Sequence, residues 1–147
     1  WREARVRHDG WQAAIREAGL EPGPVLAGNW SSGSGEAAFE EILRRAPDLD
    51  AVFVGNDQMA LGALRVAHRH GIRVPDDLAV IGFDGLEEGA QFTPSLTTVS
   101  QPLGELGHRA VLELLRLLDD ETDHRDVRSQ TLATELIVRE SAPARVP

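Results

Sequence analysis

The chain contains no cysteine and no lysine. Without cysteine there is no disulfide, no thiolate nucleophile and no sulfur ligand for a metal. All 15 basic residues are therefore arginine, a bias that genomic base composition is enough to explain. Against them stand 24 acidic residues, for a net charge of −9. A phosphate backbone is gripped by a basic stripe, so DNA contact by this segment is not expected. No apolar run approaches the ~18 residues that suggest a membrane span. There is no Gly-x-Ser-x-Gly elbow, no P-loop ending in Lys-Ser/Thr and no full dinucleotide glycine spacing. The five histidines are scattered, and His68 and His70, two apart on a helix, point to different faces. No metal and no cofactor are expected, and catalysis has no set of residues to carry it. The opening WREARVRHDGW, with no initiator Met, reads as a start inside a helix rather than a natural N-terminus.

What is present is a chain of 147 residues, 41% hydrophobic, long enough to bury the core of one globular domain. It is organised around residues 51–85, AVFVGNDQMALGALRVAHRHGIRVPDDLAVIGFDG. Residues 51–54 are continuously apolar, as in a strand buried on both faces of a parallel sheet. Asp57 opens a helix, as its expected N-cap, with Ala60, Leu61, Leu64 and Ala67 at helical spacing. Gly71 and Pro75 end that helix. Residues 78–83 form a second apolar run, closed by Asp84. Two parallel strands joined by a helix put their C-terminal ends on one edge, where open α/β sheets bind ligands. Asn56 and Asp84 are thus expected in one crevice.

The same alternation extends outward. Residues 3–20 read as a helix, 25–28 as a short strand ending at Asn29 and Trp30, and 31–35 as a loop before a helix at 36–45. Downstream come a strand at 95–100, an amphipathic helix at 104–118, a charged loop at 119–129 and a last strand at 132–140. The fold class is α/β, a doubly wound parallel sheet. A carboxylate, a carboxamide and an indole face at strand ends suit a small polyhydroxylated molecule. Each also has a plainer reading: Asp57 as a cap, Trp30 as core, Arg7 as a solvated helix residue. Residues 31–35 are an ordinary capping loop rather than a phosphate cradle.

The runs VFVGNDQMALGALRVAHRHGIRVPDDLAVIGFDG and TPSLTTVSQPLGELGHRAVLELL, with ARVRHDGWQAAIREAGL before and ELIVRES after, resemble the effector-binding domain of lactose/galactose-repressor (LacI/GalR) transcription factors. The resemblance covers nearly the whole chain. It implies a periplasmic-binding-protein-like type I fold of two subdomains around a cleft, with residues 1–147 mainly the C-terminal subdomain. It further implies that Arg7 (in RHDGW), Trp30, Asn56, Asp84 and Gln101 bind a small effector, a sugar by preference. It implies a cytoplasmic homodimer with Leu61, Leu64 and Phe92 at the interface, no membrane association, and operator DNA contacted only through a headpiece absent here. The helix at 104–118 would pack on the absent N-terminal subdomain, so its apolar stripe is expected to need a cover. Two other readings remain. One is an extracytoplasmic sugar-binding protein of a transport system, which a signal peptide would mark. The other is an enzyme using Asp84, which lacks a partner carboxylate or histidine at a second strand end.

Overall fold

The computed structural model describes residues 2–118 and 129–143. The chain runs through α1 (Arg2–Glu17), α2 (Ser32–Arg45), β1 (Ala51–Phe53), α3 (Asp57–Arg69) and β2 (Ala79–Asp84). A 3-10 turn (Glu87–Gln91), β3 (Thr97–Ser100), α4 (Leu103–Leu117) and β4 (Glu135–Ile137) follow. The strands form one sheet in the order β1-β2-β3-β4. β1, β2 and β3 are mutually parallel, with Phe53 beside Ile81 and Asp84 beside Ser100. β4 pairs antiparallel with β3, which makes the sheet mixed rather than wholly parallel.

Helix boundaries follow local chemistry. The Ser31 hydroxyl accepts from Ser34 N–H at 3.2 Å, so α2 begins at Ser32 and takes in residues 32–35, which were expected to be loop. The first turn is helical because it must pass very close to α3. A Cβ on Gly35 would stand 2.2 Å from the Met59 carbonyl oxygen, and one on Gly62 2.1 Å from that of Ser32. Two glycines therefore let the backbones of α2 and α3 nearly touch. Behind that crossing lies the core: Phe39 from α2, Ala60, Ala63, Leu64, Val66 and Ala67 from α3, then Leu78, Val80 and Leu96.

The C-terminal run closes the sheet by hydrogen bonding. Ser141, fully buried, donates to the Val80 carbonyl at 2.6 Å and accepts from Thr97 N–H at 2.8 Å. Arg139 donates to the Leu96 carbonyl at 2.8 Å. These bonds satisfy buried groups that β4, only three residues long, does not reach.

Several expectations are corrected. Residues 25–28 form no strand and join no ladder, so the expected first strand–helix unit supplies only its helix. The last strand is Glu135–Ile137 rather than 132–140. Leu64 is 5% exposed and belongs to the core, whereas Leu61 is 43% exposed and Phe92 packs partly against that core. Leu64 thus packs mainly against its own chain, and Leu61 is the more exposed of the two leucines. The expected charged loop falls almost wholly outside the described residues. α1 and α4 bury no residue, and Leu106, Val111, Leu114 and Leu115 of α4 are each at least half exposed.

Gly62→Ala is expected to destabilise the protein by about 1–3 kcal/mol, because two helix backbones must separate to admit a methyl group. Urea unfolding should show a lower midpoint with an unchanged slope. An unaltered midpoint would mean that the α2–α3 crossing is looser than its geometry.

Candidate ligand-binding site

Because β1, β2 and β3 are parallel, their C-terminal ends share one edge. The chain leaves that edge at Gly55–Asn56, at Asp84–Gly85 and at Gln101. α1 brings Arg7 to the same edge: its guanidinium donates to the Gly55 carbonyl and lies 3.7 Å from the centroid of the Phe83 ring. The cation over an aromatic face gains from the ring quadrupole. The Trp30 ring stands 6.0 Å from the same guanidinium and is 37% exposed. Gln101 donates from Nε2 to Asp84 Oδ1 at 2.8 Å. All five residues read from the sequence as binding groups therefore meet at one edge.

Their roles differ. Asn56, not Asp57, is the N-cap of α3, its Oδ1 accepting from Met59 N–H at 3.0 Å. Its Nδ2 donates to the Trp30 carbonyl at 3.0 Å and to Gln58 Oε1 at 2.7 Å. With 5% of its surface exposed, Asn56 is a scaffold group that places Trp30. Trp30 has φ +74°, a conformation unusual for a non-glycine residue, and that bond helps to hold it. Asn56 and Asp84 stand at the same edge as expected, but differ in their bonds: the Asn56 carboxamide is engaged by its own chain, while Gln101 bonds one Asp84 oxygen, Oδ1.

Burial governs the charges. Burial raises the Asp84 pKa above the ordinary carboxylate value; the Gln101 hydrogen bond and the Arg7 charge oppose this, and the Asp57 charge adds to it. Burial likewise lowers the Arg7 pKa, with Asp84 pulling the other way. In both groups loss of water outweighs mutual attraction, as expected of two charges that face each other without a direct ion pair. The result is one acceptor and one donor fork, incompletely solvated and adjacent to an indole face. Neutral hydroxyl-bearing molecules fit that set, since each hydroxyl both donates and accepts. Among the described residues no group of three or more His, Cys, Asp or Glu side chains is placed to hold a metal.

A shallow depression of about 430 Å³, lined by Leu26, Gly28, Ser34, Ala38 and Glu41 among others, lies between residues 26–29 and α2. It holds neither Arg7, Trp30 nor Asp84. Sequence reasoning missed Phe83, which reads only as a strand residue, and Asp57, which reads as a cap. The single sequence signal for Phe83 is its place before Asp84, and alternation along a strand does not say that a cation will cover it.

A parallel-edged α/β sheet with aromatic, amide and charged groups at its strand ends defines a class of small-molecule-binding domains. The family model described as "Periplasmic binding protein-like domain" matches residues 2–142, and the chain belongs to that family. It is similar to the HTH-type transcriptional repressor PurR of Pasteurella multocida strain Pm70, at 34% identity over 97% of this chain and 43% of that protein. It superposes on a solved complex of the transcriptional regulator CelR with cellobiose, with a TM-score of 0.87 and 39% identity over 92% of this chain and 42% of the other. It also superposes on a Lac repressor dimer bound to operator and the anti-inducer ONPF, with a TM-score of 0.86 and 33% identity over 95% of this chain and 48% of the other. The chain thus spans under half the length of these relatives.

Because the folded-state pKa of Asp84 is raised, ionising it works against the fold: its contribution favours folding at low pH and declines as pH rises through the carboxylate range. Asp84→Asn, whose side chain tolerates the same positive φ, is expected to match or exceed the wild-type thermal midpoint at pH 7, with the gap closing near pH 3. A large loss of stability at pH 7 would show that the Arg7 attraction, not burial, dominates.

Proposed function

We propose that this chain is the C-terminal part of the ligand-sensing domain of a LacI-type transcriptional regulator that binds a small sugar and thereby modulates operator binding. The observation carrying this reading is the convergence of Arg7, Trp30, Asp84 and Gln101 on one strand edge, in a fold shared with a regulator solved with cellobiose. The Asp84 carboxylate accepts hydroxyl protons, the Arg7 fork donates to ligand oxygens, and the Trp30 face stacks on the C–H side of a ring. Gln101 orients Asp84, and Asn56 holds Trp30. The site binds; it does not turn its ligand over. A transport receptor is the weaker reading, because the relatives named above are transcriptional regulators.

The sensing mechanism needs parts outside this chain. A ligand shifts a two-state equilibrium only by binding one state better than the other, with couplings of about 1–3 kcal/mol typical. In this proposal the second wall of the cleft is a further subdomain, which also covers the apolar stripe of α4. DNA contact belongs to a headpiece, as the charge of −9 requires. Leu61 on α3 and Phe92 mark the face through which two copies pair, in an isologous homodimer in the cytoplasm.

A thermal-shift screen of the full-length protein against cellobiose, other mono- and disaccharides and nucleosides tests this directly. A specific ligand at a hundredfold excess over its Kd should add about 2.7 kcal/mol of stability. Asp84→Ala should weaken that binding by about 1.5–3 kcal/mol, the value of a hydrogen bond to a charged group. A response to nucleosides alone would replace the sugar with a purine- or pyrimidine-bearing effector, and no response to any member would overturn the sensing reading.

A further inference from the structure

Asp57 is fully buried, yet no hydrogen bond is assigned to its carboxylate as a helix cap. Its Oδ2 accepts from Leu86 N–H at 2.7 Å, and its Oδ1 accepts from the Thr98 hydroxyl at 2.7 Å. Thr98 Oγ1 in turn accepts from Gly85 N–H at 3.3 Å. The two amides that follow Asp84 are thus both captured, one directly and one through Thr98. Room for the carboxylate comes from Gly82 in the middle of β2, where a Cβ would stand 2.2 Å from Asp57 Oδ1. The captured turn is an unusual one. Asp84 has φ +106° and Gly85 φ +76°, two successive positive values. An aspartate in that region persists only where its surroundings impose the conformation.

We propose that Asp57 is the positioning residue of the ligand site: seated at the N-terminus of α3, it clamps the turn after Asp84 and so sets where the Asp84 carboxylate stands. This rests on the reading of Asp84 as the ligand's acceptor. The clamp makes one helix end responsible for both walls of the edge, since the neighbouring Asn56 holds Trp30. Any movement of α3 along its axis therefore shifts Trp30 and Asp84 together. Thr98 is the second member of the clamp, its single proton committed to Asp57 and its lone pair to Gly85.

The test uses the full-length protein in five forms: wild type, Asp57→Asn, Thr98→Val, Thr98→Ser and Val66→Ala. The last is a core truncation on the same helix, remote from the turn, and controls for lost stability. Amide hydrogen exchange of Gly85 and Leu86 is followed without ligand, and affinity for cellobiose is measured by calorimetry. Loss of a hydrogen bond to a charged group should speed exchange at these amides by about tenfold or more in Asp57→Asn. Thr98→Val should do the same for Gly85, while Thr98→Ser restores protection and Val66→Ala leaves it unchanged. Cellobiose affinity should fall by about tenfold in the first two variants and be kept in the last two. Exchange in Asp57→Asn no faster than in Val66→Ala would overturn the clamp. Faster exchange with unchanged affinity would overturn its positioning role. If wild type does not bind cellobiose, the affinity arm is run with the ligand found in the thermal screen, and the exchange arm decides the clamp either way. Should Asp57→Asn fail to fold, the Thr98 pair decides it.

Discussion

The structure depends on how the first residues of α3 are tied down. Asn56 and Asp57 are adjacent, both buried, and each satisfies groups that no strand ladder reaches. A buried carboxylate is tolerated only if its oxygens are hydrogen-bonded, and removing a partner leaves a charge with nothing to replace water. Asp57 meets that demand with a backbone amide and a threonine hydroxyl from two separate segments. The cost of leaving it unpaired is what enforces the shape of the turn at Asp84. Stability and ligand geometry are thus the same set of bonds.

That arrangement is only as well defined as the position of α3, which is set from behind. Gly35 and Gly62 let α2 approach until backbone nearly meets backbone, so the helix pair has little freedom to slide. Core residues of α3 then press on Leu78, Val80 and Leu96, which belong to or precede the strands carrying Asp84 and Gln101. A path of direct contact runs from the α2–α3 crossing to the strand ends. On the opposite side of α3, Leu61 stays in solvent, so the helix that holds the site also presents a free apolar side chain. Leu61 and the two bonds at the start of the helix thus sit on one rigid element.

α1 shows how little contact suffices to complete a site. It buries no residue, yet Arg7 reaches the Gly55 carbonyl and the Phe83 ring and supplies the positive charge that faces Asp84. Burial opposes both charges, so the edge holds a donor and an acceptor that have given up part of their hydration. Groups in that condition gain more from a ligand hydroxyl than fully solvated ones would. α4, by contrast, buries none of its described residues, and its leucine stripe stays exposed.

Much of the fold was legible in residue order. Apolar runs at 51–54 and 78–83, a helical period between them and Gly71 beyond it determine a parallel strand–helix–strand unit, because these signals are local. The same unit puts residues 56 and 84 on one edge whatever the details of packing. Trp30 was already legible as a ring face at a strand end, Arg7 and Gln101 entered the site by resemblance, and the fold brings all of them to that edge. Tertiary structure alone decided what each side chain does there. Asn56 took the cap and Asp57 the turn, although either residue type caps a helix equally well in isolation. Residues 32–35 became helix because two glycines were needed at a crossing with a segment some 25 residues away. Leu64 became core while Leu61, three residues earlier on the same helix, stayed outside. Local pattern specifies element type and face; partners distant in sequence, chosen by burial and by the need to satisfy every buried polar group, specify role.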